Sequence, residues 1–294
     1  MLQTVLVRSG TRGGAVGVAA LALALCASPS LVGAGAAGAV EKLNAAPKEG
    51  PVAGTSIIGG GVADASRWPF TVAILREGRL HCGGSVIAPK KVLTAAHCLL
   101  GYRLADMSVV TGRTRLADTS SGQSVAVADG VVHPDYADTF KHDLGVITLA
   151  APTSAAPIAL PTVEEAAAFT VPGHLLRVSG WGARNPLGGA LAKVLMRTTE
   201  KVRRGRRCKR VYRSVFSGDS MICAFGRRLR RYRRISIHTT GCSGDSGGAL
   251  VGDGPAGPVA IGTVSYGSFI CGYGATPTVY ARVSDALGFI QAQL

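Results

Sequence analysis

GCSGDSGG, residues 241–248, places Ser246 in a short turn that is rich in glycine and carries an acidic residue directly before the serine. A serine hydroxyl is a weak nucleophile near neutral pH unless a neighbouring base removes its proton. Glycines allow unusual backbone angles and the close approach of a substrate. Such a turn can direct the N–H groups of Gly244 and Ser246 at one point, which would form an oxyanion hole. Turns of this composition also close ordinary hairpins, so the rest of the chain has to distinguish the two interpretations.

The composition favours a β-rich, turn-rich protein. The chain has 294 residues, is 47% hydrophobic and contains 40 glycines. From Trp68 onward, short apolar or alternating segments bounded by glycine or proline recur in two groups, separated by a proline-containing segment at 152–161. The only helices predicted are a short basic one within 201–211 and a last one with Ser284 as its N-cap. This pattern predicts an all-β fold of two antiparallel barrels or sandwiches.

The first 36 residues have the features of a secretory signal peptide. Arg8 and Arg12 supply positive charge, and the apolar run at 15–27 that follows is too short to span a bilayer. Residues 37–56 are rich in alanine, glycine, proline and lysine, which predicts a flexible propeptide or linker. A signal anchor that is not cleaved is the alternative. We therefore expect a secreted, extracellular protein without a stable membrane span in its mature form.

Six cysteines remain once Cys26 is assigned to the signal peptide. An even number of cysteines in an exported chain indicates disulfides, but spacing alone does not select their pairing. None of the six has the C-x-x-C spacing of a zinc or redox site. We therefore expect neither a metal ion nor a cofactor.

Two further residues could complete nucleophilic serine chemistry, which needs a base and an acid that orients the base. His97 follows the segment LTAA, and Asp143 precedes the segment LGV. A histidine at a strand end is also a common packing residue, and an aspartate there is a common backbone cap. The order His, Asp, Ser, each with its own flanking segment, nevertheless indicates a serine hydrolase. An α/β-hydrolase is excluded because its order is Ser, acid, His.

Five segments together resemble the chymotrypsin/trypsin-like serine proteases. They are IIGG at 57–60, LTAAHC at 93–98, DLGV at 143–146, GWG at 180–182 and GDSGG at 244–248. The resemblance covers 57–294 and implies two six-stranded antiparallel β-barrels, roughly at 57–160 and 161–283, with a short C-terminal helix and the active site between the barrels. We expect a monomeric serine endopeptidase that acts on proteins or peptides.

The resemblance also implies a role for each site residue. Ser246 would attack the scissile carbonyl, His97 would act as general base and then as general acid, and Asp143 would orient the imidazole. The N–H groups of Gly244 and Ser246 would bind the oxyanion. The implied disulfides are Cys82–Cys98, Cys208–Cys223 and Cys242–Cys271.

Activation and specificity follow from the same resemblance. Cleavage before Ile57 would free an α-amine that pairs with Asp245, so residues 1–56 would keep the chain an inactive precursor. Thr240 stands where trypsin-like members carry the aspartate that binds a substrate lysine or arginine. The other substrate-binding residues would be Ser265, Tyr266, Gly267 and Thr278. Thr278 replaces a family glycine and should shorten the pocket, which predicts cleavage after small or medium apolar residues.

The stretch 201–234 departs from the family and carries most of the net charge. Its 14 lysines and arginines and its single acid give +13 of the formal net charge of +15. The region from Arg203 to Arg234 could bind a polyanion such as an anionic glycan, a nucleic acid or a membrane surface. It could equally be a solvated, mobile loop or a cleavage site for another protease. The alternative function is therefore a non-catalytic protease homologue that binds polyanions or protein partners through this arginine-rich loop.

Overall fold

Two closed β-barrels dominate the fold, as the sequence predicts. The computed structural model describes residues 57–294 except 137–139, 233–234 and 275. The predicted signal peptide at 1–36 and the predicted propeptide at 37–56 lie outside the described residues. Both barrels are antiparallel, and each closes around its own apolar interior.

The first strand, β1 (Gly61–Val62), pairs with a strand of the second barrel, and the next six strands form the first barrel. Those six are β2 (Thr71–Arg76), β3 (Arg79–Ala88), β4 (Lys91–Thr94), β5 (Met107–Thr111), β6 (Gln123–Val132) and β7 (Gly145–Leu149). The order β2-β3-β4-β7-β6-β5 closes because β5 pairs back onto β2. Branched side chains such as Val72, Ile74 and Ile147 are fully buried inside this barrel.

The second barrel is interrupted by a separate two-stranded hairpin. The strands in chain order are β8 (Leu175–Gly180), β9 (Met196–Val202), β10 (Met221–Gly226), the hairpin strands β11 (Arg228–Tyr232) and β12 (Ile235–His238), then β13 (Ala249–Gly254), β14 (Gly257–Tyr266) and β15 (Thr278–Arg282). The barrel order is β9-β10-β15-β14-β13-β8, and the pairing of β8 with β9 closes it. β1 extends the sheet beyond β9.

Within the described residues, three α-helices lie outside the barrels: α1 (Val163–Phe169), α2 (Gly205–Tyr212) and α3 (Leu287–Gln291). Helix α1 was not predicted, although Thr162 and Glu165 form a capping box at its start. The short basic helix predicted within 201–211 is α2, which follows the end of β9 at Val202 and extends to Tyr212. The prediction that Ser284 caps the last helix was wrong. A 3-10 turn follows β15 at once and includes Ser284, so that Ala286 occupies the N-cap of α3.

Buried side chains and disulfides hold together the segments of the two barrels that face each other. One apolar cluster contains residues of both barrels, including Leu93 at the end of β4 and Trp181 directly after β8. The described cysteines form three disulfides. They are Cys82–Cys98 between β3 and the turn after β4, Cys208–Cys223 between α2 and β10, and Cys242–Cys271 between two loops of the second barrel.

Candidate active site

His97 and Asp143 lie side by side because the strands next to them pair. Thr94, the last residue of β4, pairs with Gly145, the first residue of β7. His97 lies in a 3-10 turn shortly after β4, and Asp143 lies two residues before β7. Because β4 and β7 are antiparallel, the end of β4 lies beside the start of β7. This register brings the side chains of His97 and Asp143 close together.

Asp143 is fully buried, and its carboxylate accepts three hydrogen bonds. Oδ1 accepts the backbone N–H of His97 at 3.0 Å, and Oδ2 accepts the ring Nδ1–H at 2.8 Å. The hydroxyl of Ser265 donates to Oδ2 at 2.5 Å. An ionised carboxylate can only accept hydrogen bonds, so beside the ionised form Nδ1 is the donor, and a neutral imidazole then has its unprotonated nitrogen at Nε2. Because Ser265 belongs to β14, this carboxylate links the first barrel to the second.

Ser246 approaches the same place from the second barrel. Its carbonyl oxygen accepts the N–H of Gly83 at 2.7 Å and lies 3.8 Å from Sγ of Cys98, in the turn after β4. The N–H of Gly247 donates to the carbonyl of Val264 at 2.7 Å. These contacts tie the turn to β3 on one side and to β14 on the other, and they leave Ser246 half-buried at the crevice.

Two glycines give this turn its shape. Gly244 has a φ of +96° and Gly247 a φ of +81°. A Cβ atom at Gly247 would lie 2.2 Å from Oγ1 of Thr94, so only glycine allows the turn to approach β4 so closely. Among the described residues, neither the N–H of Gly244 nor that of Ser246 donates a hydrogen bond within the protein. In this part of the chain both N–H groups are therefore unused donors.

Asp245 is fully buried directly beside Ser246. Its Oδ1 accepts the N–H of Gly182 at 2.8 Å, and its Oδ2 accepts the N–H of Cys242 at 2.9 Å. Burial raises the pKa of Asp245 to about 6, although the two hydrogen bonds favour the charged form. No lysine, arginine or histidine within the described ranges forms an ion pair with this carboxylate.

The predicted start of the mature chain lies beside the same segment. Ile57 is fully buried, and Ile58 forms a β-bridge with Thr240, five residues before Asp245. Residues 57–58 therefore pack in the interior beside the segment that leads to Asp245.

A cleft of about 130 Å³ opens beside Ser246. One wall is formed by Ser265, Tyr266 and Gly267, the other by residues 241–243, and the Cys242–Cys271 disulfide connects residue 242 to the far side of the cleft. Thr278 lines the cleft, whereas Thr240 lies behind it, with 2.5 Å between the Oγ1 atoms of the two threonines. The two threonine hydroxyls are therefore adjacent, and only that of Thr278 belongs to a residue that lines the cleft.

Glu200 is a buried acid near the cleft that the sequence analysis missed. It lies in β9, where buried and exposed residues alternate, and it occupies an inward position with no exposed surface. Its Oε1 accepts the N–H of Gly241 at 3.3 Å. Burial raises the pKa of Glu200 to about 7. The alternation of β9 could have revealed it, because an acid at an inward position of a strand is uncommon.

Cys82, His97 and Cys98 lie within metal-binding distance of one another. Both sulfur atoms, however, belong to the Cys82–Cys98 disulfide. A disulfide sulfur cannot supply the thiolate that binds a metal ion, so this cluster is not a metal site.

The arginine-rich stretch forms regular elements, namely the end of β9, α2 and the β11–β12 hairpin. Six of its cationic side chains surround a concavity of about 420 Å³ together with Pro172 and Gly173. They are Lys201, Arg203, Arg204, Arg206, Arg207 and Arg210. The guanidinium of Arg203 lies 3.7 Å from the ring centre of buried Phe225. Arg233 and Arg234 lie outside the described residues.

Comparisons with known proteins agree on one family. A sequence model of the trypsin family matches residues 57–290. A trypsin of Saccharopolyspora erythraea is 35% identical over 240 residues, which cover 81% of this chain and 98% of that protein. Serine protease SP24D of Anopheles gambiae is 34% identical over 82% of each chain. Trypsin delta of Drosophila erecta is 29% identical over 80% of this chain and 87% of its own. No helix in the described part of the chain is long and apolar enough to cross a membrane.

Proposed function

The chain belongs to the trypsin family of serine endopeptidases, and on this premise we propose that Ser246, His97 and Asp143 form its catalytic triad. The observation that carries the proposal is the pair of hydrogen bonds, at 2.8 and 3.0 Å, by which His97 is held on the buried Asp143 carboxylate beside the turn of Ser246. The test is hydrolysis of a peptide nitroanilide by the mature protein. His97→Ala should lower kcat by at least about 10³-fold, and full activity of this variant would contradict the proposal.

Each residue has a defined task in this mechanism. Oγ of Ser246 attacks the scissile carbonyl while Nε2 of His97 takes its proton, and Asp143 stabilises the imidazolium. The N–H groups of Gly244 and Ser246 bind the oxyanion of the tetrahedral intermediate. The intermediate collapses to an acyl-enzyme as His97 gives its proton to the leaving amine. Water then attacks the ester with His97 again as base, which releases the acid and restores Ser246.

The protein is made as a precursor that cleavage between Ser56 and Ile57 activates. The buried carboxylate of Asp245 and the burial of Ile57 support this, because the freed α-amine would supply the cation that the carboxylate lacks among the described residues. Their pairing would order the adjacent turn of Gly244 and Ser246. The test is N-terminal sequencing of active protein. A start far from Ile57 would contradict it.

The cleft accepts small or medium apolar residues at P1, the substrate residue before the cleaved bond. Three observations support a short, uncharged pocket: Thr278 lines it, its volume is about 130 Å³, and the described residues that line it include no charged side chain. The test is a panel of peptide nitroanilides with alanine, valine, leucine, phenylalanine, lysine and arginine at P1. A preference for arginine would overturn this specificity.

The enzyme is a secreted monomer, with residues 1–36 removed as a signal peptide. The three disulfides support an oxidising compartment. Expression with and without residues 1–36 tests this. Secretion should depend on them, and the secreted protein should elute as a monomer in gel filtration.

The concavity of six cationic side chains binds polyanions as an accessory property of the enzyme. The support is its charge and shape, since the described residues that line it include no acid. Retention of the protein on a heparin column should fall as the salt concentration rises. The double variant Arg206→Ala, Arg210→Ala should be retained less than the wild type, whereas Arg79→Ala in the first barrel should be retained equally. A non-catalytic homologue would show the same retention without activity, so catalysis by the same preparation distinguishes the two functions.

A further inference from the structure

His142, directly before Asp143, has a backbone conformation that most residues avoid. Its φ is +51°, in the left-handed region, which costs free energy for a residue with a side chain, although histidine adopts it more often than most. The carbonyl of His142 accepts the N–H of Leu144 at 2.7 Å, which closes a three-residue turn around Asp143. Such a conformation persists only where its surroundings hold it. The orientation of the Asp143 carboxylate therefore depends on what holds His142.

The side chain of His142 is held by the segment that follows β15. Its Nδ1 lies 3.1 Å from Oδ2 of Asp285, which belongs to the 3-10 turn between β15 and α3. This contact does not have the angle of a hydrogen bond, but Nδ1 must carry a proton, because two acceptor atoms would repel each other at 3.1 Å. The side chains of His142 and Asp285 are 25% and 30% exposed, so water and salt screen their attraction less than that of a surface ion pair.

His133 supports the imidazole of His142 from a second side. The two rings stack with 4.7 Å between their centres and 13° between their planes. The backbone N–H of His133 donates to the carbonyl of Leu144 at 2.8 Å, which fixes His133 to the turn. Its Nδ1 accepts the N–H of Asp135 at 3.1 Å and so carries no proton, which makes this imidazole neutral. Burial lowers the pKa of His133, which favours the same state. His133 therefore adds packing but no positive charge beside His142.

We propose that His142 is a positioning residue of the triad, held by Asp285 so that Asp143 is presented to His97. Two contacts from the second half of the chain then fix the acid of the triad. Ser265 holds Asp143 through its carboxylate, and Asp285 holds it through the preceding residue. This inference rests on the proposed triad, because it concerns how the acid of that triad is oriented.

Loss of this contact should affect the chemical step and not substrate binding. The described residues that line the cleft beside Ser246 include neither His142 nor Asp285. In the mature protein, Asp285→Ala should lower kcat on a peptide nitroanilide by about three- to tenfold at an unchanged KM. Labelling of Ser246 by a fluorophosphonate, which reacts with an activated serine, should slow by the same factor, because it depends on His97 in the same way.

The double variant His142→Ala, Asp285→Ala tests whether the two residues act together. His142→Ala already removes the contact, so the double variant should lose no more activity than His142→Ala alone. His142→Asn should recover most of kcat, because asparagine adopts a positive φ readily and its amide can donate to Asp285. Asp106→Ala is the matched control. It removes the exposed contact of 3.8 Å with Arg103 in the first barrel and should keep the wild-type kcat.

Urea unfolding identifies the folded variants, and Asp285→Ala provides the test if His142→Ala does not fold. A wild-type kcat in folded Asp285→Ala, or a change in KM instead of kcat, would overturn the inference but not the proposed function. Additive losses in the double variant would do the same. If the mature wild type cleaves no peptide at all, the proposed function is overturned, and the inference with it.

Discussion

Ser265 of the second barrel donates a hydrogen bond of 2.5 Å to Asp143 of the first. The same carboxylate oxygen accepts the ring proton of His97 at 2.8 Å. The acid that orients the base is therefore held from both barrels at once, so the geometry at His97 depends on how the two barrels dock. Substitutions of the residues around this carboxylate should therefore lower activity to different degrees.

Asp143→Asn should lower kcat by about 10³- to 10⁴-fold while the protein stays folded. The amide can donate to Nδ1, which stabilises the tautomer whose Nε2 carries the proton and cannot act as a base. Ser265→Ala should cost far less, because the two hydrogen bonds from His97 remain. Steady-state kinetics on one nitroanilide measures both. Equal losses in the two variants would mean that the tautomer is not what Asp143 controls.

Gly247→Ala and Gly101→Ala form a matched pair, because both glycines have a φ of +81°. A Cβ at Gly101 meets nothing within 4 Å, whereas at Gly247 it would lie 2.2 Å from Oγ1 of Thr94. Gly101→Ala should therefore cost only the backbone strain, about 1 kcal/mol in the free energy of unfolding. Gly247→Ala should cost about 2 kcal/mol more from the clash and should also displace Ser246. Urea unfolding and activity of both variants test this, and equal costs would contradict it.

The precursor should lose stability as the pH rises from about 4 to 7. Burial raises the pKa of Asp245 to about 6 from a model-compound value of 3.8, so the folded state holds a proton that the unfolded state has lost. The resulting stabilisation is present below pH 4 and is lost as the pH rises through 6. The contribution of Asp245 to the free energy of unfolding falls by about 3 kcal/mol over this range. Urea unfolding of the precursor at several pH values measures it.

Asp245→Asn is the control for that experiment, because an amide does not titrate. Its precursor should show a smaller loss of stability over the same pH range, with the remainder due to Glu200. After cleavage before Ile57, Asp245→Asn should stay as inactive as the precursor, since the new amine finds no carboxylate. An active cleaved variant would contradict the proposed activation.

Thr278→Gly should lengthen the cleft and change the P1 preference towards larger residues. The ratio of kcat/KM for phenylalanine over valine should rise by at least about tenfold, since each methylene accommodated by a pocket contributes about 1–3 kcal/mol. Thr278→Ser removes only the methyl group and should give an intermediate ratio. An unchanged ratio in Thr278→Gly would show that another residue limits the depth of the cleft.

Much of the fold was predictable because antiparallel strands leave a local signal. Segments such as Thr71–Arg76 and Gly145–Leu149 are short, apolar and bounded by turns, and they form strands of the first barrel. The strand pattern predicted two barrels or sandwiches, the order of His97, Asp143 and Ser246 indicated a serine hydrolase, and the family resemblance specified two six-stranded barrels and the role of each residue. Their proximity, however, depends on long-range pairing of strands, which no local pattern contains.

The arginine-rich stretch and Glu200 show where the sequence was insufficient. Arg228–Tyr232 looks like a solvated loop, yet it pairs with Ile235–His238 through backbone hydrogen bonds that do not depend on side-chain hydrophobicity. The burial of Glu200 depends on residues distant in sequence, because β9 is enclosed only when it pairs with β8 on one side and β10 on the other. Ser284 was assigned as a cap because of its residue type, whereas the end of β15 decides where the last helix begins.

Covalent labelling with a fluorophosphonate tests the central claim most directly, because this reagent reacts with a serine only when a base and an oxyanion hole activate it. The protein cleaved before Ile57 should incorporate one label, and peptide mapping should place it on Ser246. The precursor and Ser246→Ala should remain largely unlabelled. Absence of label on the cleaved wild type, or equal labelling of Ser246→Ala, would contradict the assignment of Ser246 as the nucleophile.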